Sequence, residues 1–112
     1  MKEIKAIFRH ERLEAVRDSL DKLGAVGMTI TEVKGAGHQR GYTESYRGAT
    51  ATIHFRPKIE LLTVVEDDLV QTVIENIAKN AYTGEVGDGK IFIKNVEEVV
   101  RIRTKEHGSK AL

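Results

Sequence analysis

The chain has 112 residues, enough for one domain around one core and too few for two. Lys plus Arg number 18 and Asp plus Glu 17, so the balanced charge argues against nucleic acid or an anionic membrane as partner, and any anion site must be local. Hydrophobic residues at 40% and charged residues at 31% are the balance of a soluble globular protein, and the absence of cysteine excludes disulfides and thiolate metal sites.

The N-terminal MKEIKAIFRHERLEAV is charged throughout and lacks the apolar run of a signal peptide. No segment approaches the roughly 20 apolar residues of a membrane span, so direct membrane insertion is not expected and a cytoplasmic protein is. Residues 2–8, KEIKAIF, read as a short strand. In HERLEAVRDSLDKLG, Leu13, Val16, Leu20 and Leu23 recur at helical spacing, and Gly24 supplies a stop. Residues 28–33, MTITEV, alternate apolar with polar, as a half-buried strand does.

Residues 37–56 have no helical periodicity; they predict either a long functional insertion or an extended hairpin, since TATIHFRP alternates. The first pattern then returns. IELLTVV, residues 59–65, is a strand rich in β-branched residues, and Glu66, Asp67 and Asp68 suit the positive end of a following helix dipole. Leu69, Val70, Val73, Ile74, Ile77, Ala78 and Ala81 mark the apolar face of that helix. Residues 90–93, KIFI, form the next strand, and VEEVVRIRT predicts one more short strand, on which Arg101 and Arg103 point the same way.

Two β-α-β halves predict an α+β, ferredoxin-like βαββαβ sandwich with both helices on one face of an antiparallel sheet. Ile4, Ala6, Phe8, Ile30, Ile59, Leu61 and Ile91 are more apolar surface than two helices would shield, which predicts subunit association.

The stretch TGEVGDGKIFI concentrates Gly84, Gly87 and Gly89 ahead of Lys90. Glycines let a ligand approach the backbone, consecutive N–H groups form an anion-binding concavity, and Lys90, Arg101 and Arg103 add cations. The spacing is not that of a Walker P-loop, and a flexible turn with solvated charges explains it equally well. Local pattern alone therefore supports an anion site and nothing finer.

The pattern T-x3-G-D-G-K-I-F-I, from Thr83 to Ile93, resembles the C-terminal signature of the PII nitrogen-regulatory signal transduction family. GMTITEVKGAGHQ, TESYRGA, FRPK and VVRIRT fall where that family places them, so the resemblance covers the whole chain. It implies one PII-type domain over residues 1–112 with a T-loop at about 37–56, a nucleotide turn at about 82–90 and a C-terminal loop at about 101–112. It also implies a homotrimer that binds ATP or ADP between subunits.

By the same resemblance, Gly87, Asp88, Gly89 and Lys90 hold the phosphates, Arg101 and Arg103 reach them, Thr29 and Val64 contact the base region, and Gly37 and His38 belong to the nucleotide site. Gln39 is the implied magnesium ligand, bridging ATP to 2-oxoglutarate; Arg40 and Gly41 line the 2-oxoglutarate site, and Lys58 pairs with its distal carboxylate. Arg47 in YRGA corresponds to the arginine that enters an ammonium transporter, so such a transporter or a nitrogen-metabolism enzyme is the implied target. On their own, Gln39, Lys58 and Arg47 read as solvated surface residues.

The chain departs from the family in the loop. Ala51 stands where relatives carry a nucleotidylated tyrosine and Ala49 where some carry a phosphorylated serine, which predicts control by small molecules without covalent switching there. His38 replaces an arginine common near the terminal phosphate, offering one neutral donor for a charged fork. Two other classes stay open: a relative that senses another small molecule, and a slow nucleotide-hydrolysing enzyme, although no Ser/His/Asp or Cys/His set is present.

Overall fold

In a computed structural model, residues 1–24, 26–37, 43–44 and 52–112 are described. Strand β1 (Lys2–Arg9) alternates so that Ile4, Ala6 and Phe8 are buried on one face. A short 3-10 turn (His10–Arg12) leads into α1 (Leu13–Asp21), whose Val16 and Leu20 are buried one helical turn apart. The helix stops where Gly24 takes φ 92°, a left-handed conformation that glycine adopts without steric cost.

Strand β2 (Thr29–Gly35) follows, then the two-residue strands β3 (Thr43–Glu44) and β4 (Thr52–Ile53), which pair antiparallel. That pairing favours the hairpin reading of residues 37–56 as far as the described residues reach. Strand β5 (Arg56–Val65) runs longer than its apolar core, because Arg56, Pro57 and Lys58 pair with Gly35, Lys34 and Val33 of β2. Helix α2 (Asp67–Ala81) begins with the expected acids, and Asp67 also accepts from the Met1 ammonium at 2.9 Å. Its Val70, Val73, Ile77 and Ala81 are buried. Strand β6 (Gly89–Asn95) completes the sheet.

The four long strands are ordered β2-β5-β1-β6, and every pairing is antiparallel. This is the ferredoxin-like order, with the two β-α-β halves interleaved so that each helix crosses over a strand of the other half. The core lies between the helices and one sheet face: Ile4, Ala6 and Phe8 from β1, Ile59, Leu61 and Val65 from β5, and the inward positions of both helices.

Two expectations are corrected. The apolar set from Ile4 to Ile91 lies on the helix-covered face, and Ile4, Ala6, Phe8, Ile59 and Leu61 are at most 1% exposed, so it is no argument for association. The uncovered face instead mixes Ile7, Leu62 and Phe92 with Glu3, Lys5, Glu60 and Lys90. The strand expected over VEEVVRIRT does not form. Residues 99–108 fold back on themselves through Gly108 N–H to Val99 O (3.0 Å), Arg101 N–H to Glu106 O (2.9 Å) and Lys105 N–H to Arg101 O (2.8 Å). Lys105 and Gly108 reverse the chain at φ 62° and 68°, so local turns satisfy the backbone that a ladder would have used.

Candidate functional site

On the uncovered face, at the sheet end where β1 and β2 finish and β6 begins, lies a cleft of about 330 Å³. Gly35, Ala36 and Gly37 line one wall, Val86, Gly87, Gly89 and Lys90 the other, and Ile7, Lys58 and Phe92 the floor. Five residues singled out from the sequence therefore meet: Gly37, Lys58, Gly87, Gly89 and Lys90. Among the described residues the lining contains no carboxylate, hydroxyl, thiol or imidazole.

The glycine wall is built from its backbone outward. Gly89 sits at φ 115° directly against β1, and a Cβ there would fall within the Ile7 carbonyl. Only glycine lets β6 start this close to its neighbour. The preceding turn closes on Asp88. Its Oδ2 accepts the N–H groups of Thr83 (2.7 Å) and Gly84 (3.0 Å), and its Oδ1 accepts the Thr83 hydroxyl and Arg9 Nε (3.0 Å). Burial pushes the Asp88 carboxyl up, but the hydrogen bonds from Thr83, Arg9 and Gly84 outweigh it and hold the group well below the ordinary carboxylate range. The side chain is thus engaged within the turn, and Asp88 can face an anion only through its backbone.

Two cations hold the carbonyls of the turn. Arg9 Nη2 donates to Val86 O at 2.9 Å, and Lys58 Nζ donates to Gly87 O at 2.5 Å. Lys58 is only 9% exposed; burial first, and then the neighbouring Arg9 guanidinium, pull its ammonium below the usual lysine value. With those carbonyls drawn toward β1 and β5, the N–H groups of Val86 and Gly87 have no acceptor among the described residues. Consecutive donors with an exposed lysine beside them can bind phosphate oxygens without any one side chain being indispensable.

The remaining predicted residues lie elsewhere. Thr29 pairs with Leu62, and Val64 with Glu3, at the opposite end of the sheet. Val64 is six residues along β5 from Lys58, a span of about 20 Å at the usual strand rise. There it lines a separate cleft with Gly27 and Leu112. Arg101 does not project from a strand beside Arg103. Its guanidinium donates to the backbone oxygens of Ala111 (3.4 Å) and Leu112 (2.6 Å), while Arg103 is exposed in the turn that follows. His38, Gln39, Arg40, Gly41 and Arg47 lie outside the described residues, as do Ala49 and Ala51.

Among the described residues a magnesium ion would find no carboxylate in the cleft, and no group of three or more His, Asp or Glu side chains gathers. Magnesium tolerates this, because it binds readily through phosphate oxygens and few protein ligands. The residues present therefore fit an ion carried in with a nucleotide, with Gln39 as the chain's own candidate ligand. Sequence reasoning missed Arg9, whose one signal was its place at the end of β1, and it did not foresee the carboxylate of Asp88 as the clasp of the turn.

Fold and cleft define a ferredoxin-like protein whose cleft is walled by glycine backbone and floored by Lys58, with Lys90 at its rim. The family model described as nitrogen regulatory protein P-II matches residues 1–106, and the chain belongs to that family. Over all 112 residues it is 56% identical to nitrogen regulatory protein P-II 2 of Methanothermobacter thermautotrophicus, covering 97% of that protein. It is 50% identical to nitrogen regulatory protein P-II of Azospirillum brasilense and 48% identical to nitrogen regulatory protein P-II 1 of Escherichia coli K12, each over the full length of both chains. These relatives are named as nitrogen regulatory proteins, in keeping with a regulatory role. No helix among the described residues is long and apolar enough to cross a membrane.

Proposed function

We propose that the chain is a trimeric sensor that binds ATP or ADP in clefts between neighbouring subunits, binds 2-oxoglutarate with Mg-ATP at the base of its loop, and regulates a target such as an ammonium transporter or a nitrogen-metabolism enzyme. The observation that carries this reading is the cleft that gathers Gly37, Lys58, Gly87, Gly89 and Lys90 around backbone donors with no acceptor among the described residues. Phosphates fit its lining, since a lysine and amide N–H groups favour a polyanion and no carboxylate among the described lining residues opposes it.

The distribution of the other residues supports a shared site. Along β5 from Lys58, Thr29 lies about 13 Å away, at the level of Leu62, and Val64 about 20 Å away, so a nucleotide with its phosphates in the cleft would meet them on a second chain. Two ends of one sheet face then serve two different ligand molecules, and a closed ring of three subunits brings each end against its complement. Lys58 and Gln39 together would set the response to 2-oxoglutarate. ATP with 2-oxoglutarate would favour one arrangement of the loop and ADP another, because the ligand sets differ in the contacts they make at its base.

Titration calorimetry tests the reading: ATP and ADP bind, and 2-oxoglutarate binds only when Mg-ATP is present. A chain indifferent to adenine nucleotides would overturn it. A pull-down from native lysate, first in ADP and then in Mg-ATP plus 2-oxoglutarate, identifies the target as the protein retained in one condition and lost in the other.

A further inference from the structure

The phosphate-facing turn is clasped from behind by a side chain that lines no part of the cleft. Arg9 ends β1, and its guanidinium makes two bonds from two nitrogens: Nε to Asp88 Oδ1 at 3.0 Å and Nη2 to Val86 O at 2.9 Å. The ion pair is mostly shielded, with the side chains of Arg9 and Asp88 17% and 22% exposed. Asp88 in turn carries the amides of Thr83 and Gly84 and the Thr83 hydroxyl. Removing Arg9 would leave that carboxylate short of its counter-ion and free the Val86 carbonyl to turn toward the cleft, where it would repel an anion.

We propose that Arg9 is a positioning residue for nucleotide phosphates: through Asp88 and Val86 it holds the turn with its carbonyls inward and its N–H groups outward, and so sets phosphate affinity without touching the ligand. This rests on the reading of the cleft as a nucleotide site. The planar fork matters, because one guanidinium spans a carboxylate and a carbonyl that a single ammonium cannot serve together. The role differs from that of Lys90, which lines the cleft and acts on the ligand directly.

The test compares wild type, Arg9→Ala and Arg9→Lys by calorimetric titration with ATP and ADP, and by NMR titration with adenosine. Arg9→Ala should weaken both nucleotides by about tenfold or more, as loss of a shielded charge-assisted bond does, while adenosine binding stays unchanged. Arg9→Lys should recover part of the loss. Equal losses for ATP and adenosine, no loss for ATP, or an Arg9→Lys variant no better than Arg9→Ala would overturn the proposal. In the free protein, the Thr83 and Gly84 amides should exchange with solvent about tenfold faster in Arg9→Ala; unchanged exchange counts against the clasp even if no nucleotide binds. Failure of the wild type to bind ATP would instead overturn the nucleotide reading alone. If Arg9→Ala does not fold, Asp88→Asn serves: its amide nitrogen cannot accept from backbone N–H groups, and the same phosphate-selective loss should appear.

Discussion

Gly89 is the residue on which the cleft most depends, because its φ of 115° and its contact with the Ile7 carbonyl both forbid a side chain. Gly89→Ala should cost at least about 2 kcal/mol, from strain and backbone displacement together, measured as a lower urea midpoint with unchanged slope. Lys90 should behave oppositely. It is exposed, so Lys90→Ala should leave stability within about 0.5 kcal/mol yet weaken ATP about ten- to hundredfold, the worth of one charged hydrogen bond. Asp88 adds a pH signature. Its folded carboxyl is held below its ordinary value of 3.8, so its stabilisation is complete above that pH and is lost as pH falls through the folded value. Asp88→Ala should therefore be less stable than wild type at pH 7, and the gap should close on acidification below 3.8. A gap that persists in strong acid would show that the carboxylate is not the stabilising group.

At the scale of elements, the helices and main strands were legible wherever one face carried the pattern. Val16 and Leu20 of α1, and Val70, Val73 and Ile77 of α2, stand in the sequence at the spacing that buries them in the fold. Ile77 is 1% exposed, so Ile77→Ala should cost about 2–5 kcal/mol in chemical denaturation; a cost under about 1 kcal/mol would mean a looser core than the packing implies. Where the reading failed, the reason is tertiary. Alternation in MTITEV predicts a half-buried strand, yet β2 is the sheet edge and largely exposed within one chain. VEEVVRIRT has strand propensity, but the left-handed Lys105 and Gly108 turn it into a closed loop that Arg101 fastens to the C-terminus. In the site, the glycine turn was visible as composition, whereas its clasp joins residues 79 positions apart and leaves no local trace.

At the scale of the whole molecule, the two ends of the uncovered sheet face are chemically unlike. One carries the glycine turn with Lys58 behind it and Lys90 beside it; the other carries Thr29 and, in its cleft, Gly27, Val64 and Leu112 together with the carboxylates Glu66 and Asp68. Neither is a complete nucleotide site, and the distance between them is fixed by β5. This geometry argues for association better than the apolar count did, since those apolar residues are spent on the core.

The most direct measurement mixes two disabled chains. Lys90→Glu repels phosphate at the turn, and Thr29→Trp blocks the base end, so neither variant should bind ATP as a homo-oligomer. Co-expressed in equal amounts, they should regain ATP binding at roughly a quarter of the sites, those in which an intact turn meets an intact base end across a ring interface. Mixed oligomers that bind no ATP would contradict the account, because a nucleotide held by one chain alone cannot be restored by its neighbour.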